Sequence, residues 1–198
     1  ITPLDLMMNT LWDKFYAPDY IKKAILLFCL SPFKKDELIH IGIITSHGEG
    51  KDTLVEKVIQ PLVPCGVASS GQMTTIPGLV GAMSGDDLGS VDVGLLPKMN
   101  NERLAISEFQ LWKDTVFGEM LGAMANGYVQ LTKGKLDIRK PTCVNILMMG
   151  NPPHNYTEGK SSKREMMEAF GRYTPQIISR LTLIYTQLKL SEESKHDL

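Results

Sequence analysis

A turn of glycine and polar residues, Ser46-His-Gly-Glu-Gly50, runs directly into Lys51. Before it lies a β-branched apolar run, Ile39-His-Ile-Gly-Ile-Ile44, and after it a helical stretch over residues 51–60. A strand, a glycine turn and a helix opening with lysine can cradle phosphate. Backbone N–H groups at the helix start point at the anion, and the lysine reaches its outer oxygens. The candidate binding residues are Gly48, Gly50, Lys51, Asp52 and Thr53. The phosphate-loop consensus is Gly-x-x-x-x-Gly-Lys-Ser/Thr. Here the eight positions read Thr45-Ser-His-Gly-Glu-Gly-Lys-Asp52, without the first glycine or the final hydroxyl. Taken alone, the segment reads sooner as an ordinary strand-to-helix turn.

Three later positions favour the phosphate reading. Ile106-Ser-Glu-Phe109 follows a short apolar strand, where ATPases of this kind carry an Asp that supports Mg²⁺ and a Glu that polarises the attacking water. Only the glutamate is kept, as Glu108, with Ser107 before it. Met148-Met-Gly-Asn-Pro152 ends another apolar strand on a polar amide, Asn151, where a sensor of the γ-phosphate would sit. Ile177-Ile-Ser-Arg180 places an arginine at a helix end, where it could act as a finger in a neighbouring subunit's site. Each has a plain alternative: surface charges for Glu108 and Arg180, a turn residue for Asn151. Their order and spacing favour the catalytic set Glu108, Asn151 and Arg180.

The pattern around these residues alternates strand and helix. Apolar periodicity predicts helices over 4–15, 20–28, 51–60, 112–125, 163–170 and 175–180. Short β-branched runs predict strands over 39–44, 103–106, 144–149 and 183–186, with a hairpin over 128–139 turning at Lys133-Gly-Lys135. The polar segment 31–37 breaks the second helix, and 83–101 and 152–163 read as surface loops. This alternation is that of an α/β fold with a mainly parallel sheet flanked by helices. The organisation expected is one domain over 1–198: N-terminal helices (1–37), a phosphate-loop core (38–187) and a polar tail (188–198).

The composition fits that domain. With 43% hydrophobic and 22% charged residues in 198, the chain can bury a substantial core. Lys plus Arg number 21 against 22 acids, so only a local basic patch could hold nucleic acid. Cys29, Cys65 and Cys143 lack metal-ligand spacing and read as buried thiols in a reducing compartment. No apolar run approaches the roughly 20 residues that span a bilayer. Ile1 in place of an initiator Met predicts an excised fragment.

Several stretches together resemble the AAA+ ATPase core of the minichromosome maintenance (MCM) family. Phe15-Tyr-Ala-Pro-Asp-Tyr-Ile-Lys-Lys-Ala-Ile-Leu-Leu27 is similar to the segment that opens that core. Ser70-Gly-Gln-Met-Thr-Thr-Ile-Pro-Gly-Leu79 resembles the run before the family's helix-2 insertion. From Ser107 to Pro152 the family pattern fits without a gap, and Ser179-Arg180 matches its Ser-Arg-Phe, although Leu181 and Thr182 depart from it. The resemblance implies a hexameric ring of like subunits that moves along DNA, with ATP and Mg²⁺ bound between subunits. It implies a pre-sensor hairpin whose pore lysine is Lys133; the residues themselves offer Lys133, Lys135, Arg139 and Lys140 as a basic DNA-contact candidate, with a solvated hairpin as the plain alternative. The helix-2 insertion would fall at about 83–96, an acidic stretch that suits phosphates poorly. The family's lid, with its second sensor arginine, and its N-terminal DNA-binding domain are expected to lie outside these residues. The setting would be nuclear in a eukaryote and cytoplasmic otherwise.

Two departures fall on magnesium. The loop Ser/Thr that ligates the ion is Asp52, and the Asp that supports it is Ser107. The two residue types have exchanged places, so one hydroxyl and one carboxylate remain in a swapped shell. Against that, a carboxylate about 4 Å from a phosphate charge costs about 4 kcal/mol at an effective dielectric near 20. Thr45, His47 and Glu49 depart further. The expectation is ATP binding with weak or absent hydrolysis. Two other readings remain: a catalytically dead module used for assembly or DNA binding, and another AAA+ branch of chelatase or chaperone-like type.

Overall fold

The computed structural model of the chain describes residues 6–7, 17–45, 48, 50–68, 75–83, 90–151, 176 and 179–186. In chain order the elements begin with α1 (Asp19–Leu30), a 3-10 turn (Lys35–Glu37) and β1 (Ile41–Ile44). Next comes α2, a continuous helix assembled from Lys51–Thr53, a π-helical segment Leu54–Ile59 and Gln60–Leu62. Then follow β2 (Cys65–Ala68), α3 (Ile76–Val80), β3 (Gly81–Met83), β4 (Val91–Val93), α4 (Leu95–Lys98) and β5 (Arg103–Ser107). A second 3-10 turn (Phe109–Leu111) leads to α5 (Asp114–Asn126), β6 (Tyr128–Lys133), β7 (Leu136–Pro141), β8 (Asn145–Gly150) and β9 (Leu183–Thr186).

Five strands form one parallel sheet in the order β2-β5-β8-β1-β9. Its middle strands are buried on both faces, which is why they read as unbroken apolar runs. Successive side chains point to opposite faces and feed two cores. Ile41, Ile43, Ala105, Leu147 and Met149 pack against α1 and against Leu54, Val55, Val58 and Ile59 of α2. Ile44, Leu104, Ile106, Ile146 and Met148 pack against Phe117, Met120 and Leu121 of α5, and against Val129 and Leu131 of the β6–β7 hairpin. The α/β architecture expected from the alternating pattern is therefore present.

Several local expectations change. The segment 83–101 is not one loop: β4 pairs antiparallel with β3, and α4 buries Leu96 in the core. Gly81 and Gly94 hold the base of this small hairpin. A Cβ on Gly81 would lie 2.6 Å from Asp92 O, and one on Gly94 would overlap the backbone of Gly81 and Val80. Strand β2 was not expected at all. Of the helix expected over 4–15, only residues 6–7 are described, and they are helical. The helix over 163–170, most of that over 175–180, the loop after Asn151 and the tail lie outside the described residues. Cys29 is buried, but Cys65 and Cys143 are half-buried. No helix among the described residues is long and apolar enough to cross a membrane.

The N-terminal edge of the sheet is tied by buried polar groups. Arg103 donates from Nε to Phe28 O (3.1 Å) and from Nη2 to Cys29 O, closing the end of α1, and its guanidinium lies 4.8 Å from the Phe33 ring centre. Asn145 Oδ1 accepts from Ile39 N at 2.9 Å, and Asn145 Nδ2 donates to Ser31 O at 3.3 Å. His40 Nδ1 accepts from Ile146 N at 3.3 Å. Burial pushes the His40 imidazole down to about 4 from 6.5.

That shift has a definite sign. The unfolded chain takes up the His40 proton near its ordinary pKa while the folded chain refuses it. Stability from this group is therefore complete above the unfolded value and is lost as pH falls toward the folded one. At about 1.4 kcal/mol per unit, the full loss is about 3 kcal/mol. His40→Asn keeps an acceptor near Ile146 N but does not titrate. The urea-stability gap between wild type and His40→Asn should narrow by about that amount between about pH 7 and pH 4. A gap that stays constant would show that His40 is not buried in its neutral form.

Candidate functional site

The parallel register brings the C-terminal ends of the middle strands to one edge of the sheet. Ile44 of β1 lies opposite Gly150 of β8, and Ser107 of β5 lies opposite Met149. Thr45, Asn151 and Glu108 therefore leave three adjacent strands at nearly one level. Ligands of open parallel sheets bind beyond this edge. The loop from β1 returns here to start α2, whose N-terminal amides and dipole favour an anion.

The loop owes its shape to two glycines in left-handed conformations, Gly48 at φ 80° and Gly50 at φ 78°. Space alone would allow a side chain at Gly48, since a Cβ there meets nothing within 4 Å. Backbone conformation, rather than packing, calls for glycine. Thr45, at the place of the missing first glycine, continues β1 by one residue and donates its N–H to Gly150 O at 3.2 Å. Its carbonyl then faces the lysine. Lys51 Nζ donates to Thr45 O at 2.8 Å and to Asn151 Oδ1 at 2.6 Å. Thr45 and Asn151 are both buried, so this is a charge-assisted pair in a sheltered setting.

A pocket of about 530 Å³ opens over these groups, lined by Gly48, Gly50, Lys51, Asp52, Thr53, Ser107, Glu108 and Asn151. That volume lies within the range of ordinary ligand pockets. Its wall thus unites the eight loop, acidic-motif and sensor positions anticipated from sequence. Glu108 adopts φ 53° and ψ 38°, a left-handed conformation that a non-glycine residue holds at a cost of about 1 kcal/mol or more. Such strain clusters at functional sites, and here it aims the turn into Phe109–Leu111. Ser107 Oγ reaches Ala68 O at 3.5 Å, a marginal hydrogen bond. Asp52 and Glu108 supply carboxylate oxygens and Ser107 a hydroxyl, a hard donor set of the kind that suits Mg²⁺. Among the described residues no group of three or more His, Cys, Asp or Glu side chains converges as a metal cage. A cation here would keep waters and share the ligand's phosphates, as Mg²⁺ commonly does.

Other anticipated residues lie elsewhere. Arg180 does not line the pocket: its Nε donates to Leu121 O in α5 at 3.0 Å and its Nη1 to Gln176 O at 3.0 Å. The basic hairpin is divided between two faces. Lys133 pairs with Leu136 across a two-residue turn in which Gly134 has φ 61°. Alternation then places Lys133 on the face of Leu131, Ile138 and Lys140, and Arg139 on the face of Tyr128 and Gln130. The Arg139 guanidinium stands 5.0 Å from the Tyr128 ring centre. Lys133 and Lys135 are exposed at the hairpin end. Sequence reasoning counted Thr45 only as a fault and missed its carbonyl as a partner of Lys51. A backbone acceptor leaves no side-chain signature; its position directly after the strand was the available sign.

Comparison with known proteins bears on the same residues. The MCM P-loop domain family matches residues 2–197. An uncharacterised MCM-type protein of Methanocaldococcus jannaschii is 30% identical over 188 residues. That alignment covers 88% of this chain and 21% of the relative, so the chain spans about a fifth of that protein's length. A match across nearly the whole chain, a parallel sheet and a glycine loop at its C-terminal edge agree: the chain belongs to the MCM family, as its nucleotide-binding P-loop domain.

Proposed function

We propose that this domain binds Mg·ATP in the pocket at the end of β1, and that it forms the core of one subunit in a ring-shaped, MCM-like DNA motor acting in replication or recombination. Hydrolysis in this copy is slow or absent. The observation that carries the reading is the contact of Lys51 Nζ with Asn151 Oδ1 at 2.6 Å, which joins the loop lysine to the sensor amide at the pocket mouth. A γ-phosphate seated beside this pair would be met by the Lys51 ammonium and by the Asn151 Nδ2 donor. Gly48 and Gly50 offer backbone donors, and Glu108 is the base that would polarise a water. Bound Mg²⁺ would supply charge neutralisation at the phosphates, held by Asp52 and Ser107. Asp52 in place of a hydroxyl is the ground for slow turnover.

The alternative is a module that keeps the fold for assembly or DNA binding and hydrolyses nothing. It is favoured by the engagement of the Arg180 guanidinium with carbonyls of its own chain, which an arginine serving a neighbour's site would have to leave.

Calorimetry with Mg·ATP, with and without single-stranded DNA, separates the two. Wild type should bind Mg·ATP, and Lys51→Ala should weaken binding at least about tenfold, since charge-assisted hydrogen bonds are worth about 1.5–3 kcal/mol. Equal affinity in the two proteins, or no binding to either, would refute the nucleotide reading. DNA-stimulated turnover would support the motor.

For the hairpin, Lys133→Ala combined with Lys135→Ala should lower single-stranded DNA affinity. It should also flatten the log-affinity against log-salt slope by about 1.4, or about 0.7 per phosphate contact. Arg139→Ala, on the opposite face, should leave the slope unchanged. If Arg139→Ala flattens it as much as the lysine pair, the Lys133–Lys135 end of the hairpin is not the DNA contact.

A further inference from the structure

We propose that Asp52 makes a divalent cation obligatory for nucleotide binding, so that the pocket takes a metal–triphosphate complex and rejects the metal-free anion. The inference rests on the nucleotide reading above and concerns what form of nucleotide that site accepts.

The argument begins with the charges on the pocket wall. Among its described lining residues Lys51 is cationic, while Asp52 and Glu108 are anionic. Lys51 is already engaged by two neutral acceptors, Thr45 O and Asn151 Oδ1. Among the described residues, no lysine or arginine forms an ion pair with Asp52. Asp52 is the second residue of α2, in the first turn, where the amides that would meet a phosphate also lie. A triphosphate entering alone would bring several negative charges beside a carboxylate that no lysine or arginine pairs with among the described residues.

Two unit charges about 4 Å apart repel by roughly fivefold in an equilibrium constant in bulk water, and by on the order of a thousandfold at an effective dielectric near 20. Asp52 is exposed in this structure, so the lower end applies until the ligand covers it. Burial under the ligand moves the interaction toward the upper end. A divalent cation reverses the sign. The Asp52 carboxylate becomes a hard oxygen donor to it, and the Ser107 hydroxyl, whose contact to Ala68 O is a marginal 3.5 Å, can turn toward the cation's waters. The carboxylate thus acts as a selectivity filter, favouring the metal complex and opposing the bare anion at one position.

The test is calorimetric titration of ATP into the whole chain in Mg²⁺, in Mn²⁺ and in excess EDTA. Wild type should lose at least about tenfold in affinity when the metal is removed. Asp52→Asn removes the charge at nearly constant volume on an exposed position. It should raise metal-free affinity at least about tenfold while lowering affinity for Mg·ATP. Asp52→Ser combined with Ser107→Asp should restore tight Mg·ATP binding beyond the product of the single effects, and strict additivity would remove Ser107 from the inference. Metal-free affinity unchanged in Asp52→Asn, or equal wild-type affinity with and without metal, would overturn the proposal and leave the nucleotide site standing. Absence of binding in every protein and every buffer would defeat both.

Discussion

The in-register parallel pairing of β8 with β1 on one side and β5 on the other is the constraint on which the site depends. These strands are buried on both faces, so a shift of one residue would exchange the two cores, placing side chains fitted to α1 and α2 against α5. The register is therefore held by packing along the whole strand rather than by anything at the pocket. Buried polar groups reinforce it from the other end, where Asn145 and His40 tie β8 and the approach to β1 together. With that end anchored, the opposite ends of three strands must finish level. Thr45, Asn151 and Glu108 then converge without needing to contact one another directly.

What converges is an electrostatic compromise. A lysine held by a carbonyl and an amide oxygen places its charge on the pocket wall. The same wall carries two carboxylates, one at the first turn of α2 and one in a strained left-handed turn. A site with this balance favours ligands that bring their own cation. At positions 52 and 107 a carboxylate and a hydroxyl stand in the reverse of the consensus order, so that pair of oxygen donors is kept, whereas the first loop glycine is replaced by Thr45.

Much of the frame is legible in the sequence because β1, β5 and β8 are buried on both faces and read as apolar runs. Strand β2, as short as β1, lies at the sheet edge and is only partly buried, so its Cys65-Gly-Val-Ala68 carries no long-chain apolar run to mark it. Elements β4 and α4, three and four residues long, fall below any periodicity and are held by the Gly81–Gly94 approach, a tertiary contact. The pocket residues were legible by order and spacing. Their partners were not: the Thr45 carbonyl has no side-chain sign, and the docking of Arg180 on α5 depends on a long-range contact. The division of the hairpin cations follows from strand alternation once the two-residue turn is placed, so residue type grouped what register separates.

The most direct test of the central claim, that the level strand ends form a nucleotide site, is to follow backbone and side-chain amide resonances of labelled protein during titration with Mg·ATP. The Gly48 and Gly50 amides and the Asn151 side-chain amide should shift together with one saturation curve, while Ile146, beside His40 at the far end of the sheet, stays fixed. Saturable shifts elsewhere on the domain, with Gly48, Gly50 and Asn151 unmoved, would contradict the account.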